Sequence, residues 1–200
     1  MPEQRLRGRP RGFDATEALE AATSVFWAKG YEGASVDALC RAMNMPRASL
    51  YQLFGDKERL FLAAIDHYAK THLEPLAQSL GSIGVLEDDL EAFFDHVVTL
   101  ATSDPSTLGC LISSVLSDAA GTNPLFKAEL DRRFAALEAR LSDRLRQSTY
   151  RLEAPAEVMA VVLASVARGL TLRARSGKSA TELRAVGRAA ARAFLHPVRE

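Results

Sequence analysis

Arg47, Ser49, Tyr51 and Gln52 fall within six consecutive residues and carry the donors and acceptors that bind phosphate oxygens and base edges. An arginine near a helix N-terminus can pair with phosphate or take two parallel hydrogen bonds to guanine, a contact worth about 1–3 kcal/mol of discrimination. Gln52 can read adenine in the same two-point way. Tyr51 suits a phosphate, a contact that positions without specifying, or else serves as a packing aromatic.

These side chains need an element that presents them together. The stretch from Ser35 to Phe54 reads as two short helices joined by a tight turn. Ser35 suits the N-cap of the first helix, Asn44 the turn, and Pro46 the first position of the second. Leu50, Leu53 and Phe54 give the second helix an apolar back. This is the layout of a helix-turn-helix that places its second helix in the major groove of duplex DNA.

The 200-residue chain carries 25 Lys+Arg against 25 Asp+Glu, for a formal net charge of +0. It is no polycation, so a nucleic-acid site must be a local patch. One such patch is the N-terminus, where Arg5, Arg7, Arg9 and Arg11 face only Glu3. Arg9 and Arg11 flank Pro10, which suits an extended arm in a minor groove; a solubilising tail is the plainer alternative. Two cysteines, Cys40 and Cys110, form no CxxC, and His67, His72 and His96 lack metal-ligand spacing, so no metal or cofactor is expected. No apolar run approaches the ~20 residues that span a bilayer, and the basic N-terminus lacks an apolar signal segment. A cytoplasmic protein with reduced thiols and no membrane partner is expected. No nucleophile–base set, paired-carboxylate signature or Gly-rich phosphate loop argues for an enzyme.

Helical periodicity dominates, and no strand signal competes with it. A first helix is predicted from Asp14, which with Glu17 three residues on resembles a capping box, to Lys29-Gly30; two more make up the helix-turn-helix. Asp56 can cap a fourth, running to about His72, with Pro75 and the Gly81–Gly84 segment as a connection. Further helices are predicted at about 87–101, 107–119, 124–148, 155–175 and 179–195. The expected fold is therefore all-α, with about nine helices. Residues 1–55 form an arm and a three-helix reader, and residues 56–200 a larger effector-binding and dimerisation body. The helix from Pro155 is apolar over most of its circumference, as a central core helix is, or as a helix pairing with a second subunit is. The dimer is favoured, because helix-turn-helix readers bind half-sites ~34–36 Å apart as two-fold pairs.

Four spaced segments carry a further signal: Arg-Gly-Arg-Pro-Arg-Gly-Phe-Asp14, Ala-Leu-Glu-Ala-Ala22, Phe-Trp-Ala-Lys-Gly-Tyr-Glu-Gly-Ala-Ser-Val-Asp37, and Ser-Leu-Tyr-Gln-Leu-Phe-Gly-Asp-Lys-Glu-Arg-Leu60. In this order they resemble the TetR family of bacterial transcriptional regulators, over about the first sixty residues. The resemblance implies a homodimer on a pseudo-palindromic operator and a C-terminal domain whose small-molecule ligand loosens DNA binding. By position, Ser35 resembles a phosphate contact, Arg47, Ser49, Tyr51 and Gln52 the recognition-helix contacts, and Lys57 a phosphate anchor. Leu39, Leu50, Phe26 and Phe54 resemble the small core behind them. Pro46 departs from a frequent Ser or Thr cap, and Ala48 from a frequent Gly.

The resemblance also implies a pocket in the body. Its candidate lining is Phe61, Ile65, Tyr68, Phe93 and Phe94, together with Val97, Cys110, Ser114, Phe126 and Val166, although aromatic stripes at helical spacing are more often plain core. That mainly apolar set favours a hydrophobic effector. Cys110 opens a predicted helix, whose dipole lowers a thiol pKa. Its Gly-Cys-Leu setting resembles relatives that sense electrophiles or oxidants; a small buried hydrophobe is the alternative. Cys40 is expected to be structural. The function expected is a repressor released by an apolar effector or by modification of Cys110. An effector-independent architectural DNA-binding protein is the alternative, and activation in place of repression stays open.

Overall fold

The computed structural model describes residues 14–78, 80, 81 and 84–193; Arg9 and Arg11 lie outside the described residues. Helix α1 (Ala15–Gly33) starts where Asp14 accepts hydrogen bonds from the amides of Thr16 (2.8 Å) and Glu17 (3.4 Å). The expected stop at Gly30 is a break within the helix. Gly30 takes φ 69°, and one more turn follows to Gly33. Ser35 caps α2 (Val36–Ala42) through the Ala38 amide at 3.2 Å. Asn44 makes the turn at φ 50°, a left-handed conformation that its short polar side chain tolerates.

Pro46 is the N-cap of α3 (Arg47–Phe54), one position ahead of the expected one, with extended backbone at ψ 153°. Arg47 is therefore the first helical residue. Gly55 at φ 87° ends α3, and Asp56 caps α4 (Lys57–Tyr68) through the Arg59 amide at 2.7 Å.

Helix α4 does not stop at His72. It widens into a π-helical turn over Ala69–Leu73 and continues as α5 (Glu74–Gln78), so Pro75 lies inside the helical run. The wider turn gives room to a proline ring that would otherwise meet the Thr71 carbonyl four residues earlier. Helix α6 (Leu86–Thr102) follows.

The next helix begins later than Thr107. Asp104 holds the preceding segment in a turn by accepting from the Ser106 amide and from the Ser106 and Thr107 hydroxyls. Helical structure starts at Leu111 and passes through a π-helical turn, Ile112–Leu116, into α7 (Ser117–Ala120). The last three helices are α8 (Pro124–Arg146), α9 (Ala156–Arg175) and α10 (Ala180–Ala193). With each π turn joined to its continuation, nine helical rods make up the described residues, and no β-sheet is present among them.

Two apolar cores hold the rods. The first joins Phe26 of α1, Leu39 of α2, Leu50 of α3 and Phe61 and Ile65 of α4 to Leu116 and to Phe126 of α8. The second is built from α6, α9, α10 and the far end of α8, with Phe93, Phe94, Leu141, Leu163 and Leu170 at its centre. Helix α8, roughly 34 Å long at 1.5 Å per residue, reaches from one core to the other. Helix α4 packs against α1 and α3, so the body contributes a wall of the reader's own core.

Candidate nucleic-acid interface and ligand cavity

At about 100° per residue, Arg47, Ala48, Tyr51 and Gln52 fall within one ~140° arc of α3. All four are exposed, and Ser49 lies half-buried at the margin of that arc. Leu50 is fully buried in the first core and Phe54 packs half-buried against it, which fixes how the arc faces outward. Leu53, expected on the apolar back, is instead 53% exposed.

Arg47 is not free. Its Nε donates to Asp37 Oδ1 at 2.7 Å, an exposed pair that links the start of α3 to the first turn of α2. The hydrogen bond from Arg47 holds the Asp37 carboxyl below its ordinary range and the guanidinium above its own. Asp37 orients Arg47 and also competes with phosphate or guanine for it. Sequence reasoning missed this residue, although an acid in the first turn of one helix beside the first residue of the next was the available signal.

Ser35 accepts the Ala38 amide as a cap, which leaves its hydroxyl proton to donate outward. Lys57 reaches back to α1, with Nζ 3.4 Å from the Glu32 carbonyl and 4.3 Å from the centroid of the Tyr31 ring. Cys40 is buried beside Leu39, and burial pushes its thiol up.

In the body, a cavity of about 370 Å³ opens between the α4–α5 run, α6, α8 and α9. Of the residues that the sequence reading placed in a pocket, Val97 and Cys110 line it. The other expected lining residues lie elsewhere. Phe61, Ile65 and Phe126 belong to the first core, where Phe61 meets Phe26 at 4.8 Å and Phe126 at 5.0 Å between ring centroids. Phe93 and Phe94 are fully buried in the second core, against which Val166 packs half-buried. Ser114 turns its hydroxyl back onto the Cys110 carbonyl at 2.6 Å, and its neighbour Ser113 lines the cavity. Large aromatics reach these cores because full burial gains the most apolar area there, and helical spacing alone does not separate core from cavity wall.

Tyr68 is buried against Trp27 and His72, with its hydroxyl beside the Cys110 thiol and the Leu111 backbone. Burial, then the neighbouring Cys110, push the phenol far up, so it stays protonated. The apolar floor comes from Leu73, Leu76, Leu100, Ile112 and Leu137. The rim carries charges that the sequence reading did not assign to a pocket: Asp66, Lys70 and Glu74 on one side, and Arg132, Arg133, Arg140 and Arg168 on the other. Arg133 donates to Asp66 at 2.8 Å, which ties α8 to α4, and Lys70 pairs with the same carboxylate at 2.7 Å.

Residues 18–64 match the family profile of bacterial regulatory proteins, tetR family, and residues 87–189 match the C-terminal domain of LmrA/YxaF-like transcriptional regulators. The chain belongs to the TetR family. It is 30% identical over 168 residues to the HTH-type transcriptional repressor AcnR of Corynebacterium glutamicum, covering 82% of each chain. It is 29% identical over 185 residues to the HTH-type transcriptional repressor ComR of Escherichia coli, covering 90% of this chain and 88% of that one. A cysteine-substituted form of the TetR family transcriptional regulator CifR, solved with 26bp double-strand operator DNA, shares the fold at a TM-score of 0.83 and 31% identity. That match covers 94% of this chain and 100% of CifR. Reduced Escherichia coli NemR, at a TM-score of 0.78 and 21% identity, shares the fold. Within this TetR-family regulator, α4 packs against α1 and α3 and its continuation also borders the cavity. No described helix is long and apolar enough to cross a membrane.

Proposed function

We propose that this TetR-family regulator is a cytoplasmic, non-enzymatic repressor. It binds a pseudo-palindromic operator as a homodimer and leaves it when a small ligand fills the body cavity. The observation that carries the reading is the exposed Arg47–Tyr51–Gln52 arc, anchored from behind by Leu50 and Phe54. Arg47 and Gln52 read base edges, Tyr51 and Ser49 contact the backbone, Ser35 and Lys57 clamp phosphates on either side, and Arg9 and Arg11 supply an arm. The functional division falls at residues 55 and 56, between a reader and a sensing body.

Dimerisation is supported by an apolar strip that a single chain leaves uncovered. Val158, Val161 and Leu172 of α9 are 51%, 46% and 53% exposed, and Val186 of α10 adds to them. A two-fold partner offering the same strip buries it and holds two recognition helices at half-site spacing.

Two ties connect the cavity to the reader. Arg133 bonds Asp66 across the cavity rim, and Asn123 at the start of α8 donates to Glu58 at 2.6 Å. A ligand that displaces α4 moves the wall against which α1 and α3 pack. It weakens operator binding by as much as its affinity differs between the two arrangements. Modification of Cys110 is a second route to the same release, favoured by the position of its thiol at the cavity and beside the Tyr68 hydroxyl.

The test is selection of bound fragments from a genomic DNA library by the purified protein, at defined salt. A recovered pseudo-palindrome, with discrimination reduced about tenfold or more by Arg47→Ala, is expected. Binding without sequence preference and with a steep salt slope would instead establish an architectural role.

A further inference from the structure

We propose that the cavity selects an amphipathic anion: an apolar body with a single carboxylate-like head, bound by Arg140. This rests on the cavity being the effector site. The floor is apolar, whereas the rim is unequal in charge. Five cationic side chains border it against two acidic ones, Asp66 and Glu74.

Most of those cations are already committed. Arg133 bonds both Asp66 and Glu129, Arg132 bonds Glu129, and Lys70 bonds Asp66. Arg168 pairs with Glu138 and stacks 3.8 Å over the centroid of the Phe134 ring. Arg140 differs. Among the described residues no carboxylate lies within ion-pair distance of it, so its planar fork of donors is left for a ligand.

Its position on α8 suits that role. Arg133, Leu137 and Arg140 recur at four- and three-residue steps and share one helix face. Leu137 therefore offers apolar contact between two guanidinium groups, and a ligand with its tail on the floor places its head at the mouth. A cavity of about 370 Å³ is at the small end of the ~300–1,000 Å³ range of ligand sites, which restricts the body to a short chain or one ring. An anion drawn to this rim also competes with Asp66 for Arg133, and so loosens the bond between α4 and α8.

The experiment is displacement of a neutral N-phenylnaphthylamine dye from the full chain by octanoate, octanol and octylamine, which share one apolar body and differ in the head. Octanoate is expected to displace the dye at about tenfold lower concentration than octanol, with octylamine weakest, as a charge-assisted hydrogen bond predicts. Arg140→Gln, a change at an exposed position, is expected to bring octanoate within about twofold of octanol and leave octanol unchanged. Equal displacement by octanoate and octanol, or a preference that survives Arg140→Gln, overturns the anion assignment.

Ala136→Trp narrows the mouth from another exposed position and separates the two readings. Dye that binds the unaltered protein but not this variant upholds the cavity as a site, whatever the heads show. Dye that fails to bind the unaltered protein, or binds the variant equally well, overturns the cavity reading and the anion assignment together.

Discussion

Arg47, Tyr51 and Gln52 sit within two turns of one helix, and the residues that aim them are their immediate neighbours Leu50 and Phe54. Cys110, Arg133 and Arg140, by contrast, meet around a cavity whose walls come from segments up to about a hundred residues apart. The exposed arc of α3 is thus a property of local spacing, and the cavity a property of packing. The two regions also differ in how their charge is used. Arg47 is paired but exposed, so another anion can exchange for Asp37 at little cost. Arg133 is mostly buried between Glu129 and Asp66, so displacing it moves structure.

The comparison breaks if reader and body prove to be separate folding units, and the largest expected effect tests that. Phe61 is fully buried where α4 meets α1 and α8, so Phe61→Ala should cost about 3–5 kcal/mol. Phe94→Ala in the second core should cost a similar amount. Because α4 and α8 are shared, each variant should lower the midpoint of one urea transition followed by circular dichroism. A transition that splits in two for either variant would show that the cores unfold independently.

A smaller effect sharpens the view of the reader as a local device. Ser35→Ala removes the hydroxyl that caps α2 and should cost about 1 kcal/mol in the same urea titration. Operator affinity should fall further than that stability loss explains, since the hydroxyl proton is also lost to phosphate. Equal affinity for the two proteins would confine Ser35 to capping.

The smallest effect lies at the tie between the regions. Burial raises the Asp66 carboxyl, but hydrogen bonds from Lys70 and Arg133 outweigh it and hold it below the ordinary value of 3.8. A depressed pKa stabilises the fold above the unfolded value and loses that contribution as pH falls through the folded one. Asp66 is 43% exposed, so after screening Asp66→Asn should cost under about 1 kcal/mol at pH 7. The difference between the two proteins, measured by urea unfolding, should be constant down to about pH 5 and shrink below about pH 4. A difference that instead grows in acid would remove Asp66 as the charged partner of Arg133.

Helix content was readable because its signals are local. Asp14, Ser35 and Asp56 each cap the helix that follows them, and Asn44 makes the turn. Boundaries failed where a longer-range or subtler choice intervened. The π turn before Pro75 keeps a helix going that a proline would end, and Asp104 captures Ser106 and Thr107 and delays the next one. Of the pocket, Val97 and Cys110 were legible, and the aromatic residues were not separated from core. A buried phenylalanine and a cavity-lining one share the same period, and the side chains that close the mouth, such as Arg133 and Arg140, look in sequence like a solvated helix face.

By itself, the sequence determined that this chain is helical, that Arg47, Tyr51 and Gln52 lie together on the second helix of a helix-turn-helix, and that the TetR pattern frames them. Each of these follows from interactions within a few residues along the chain. Only the tertiary structure decided that Asp37 holds Arg47, that Asp66 ties α4 to α8, and that Arg140 is left unpaired at the rim of an apolar cavity. These depend on which helix faces meet, and a helix's own period states that a face is apolar or charged without stating what it will be packed against.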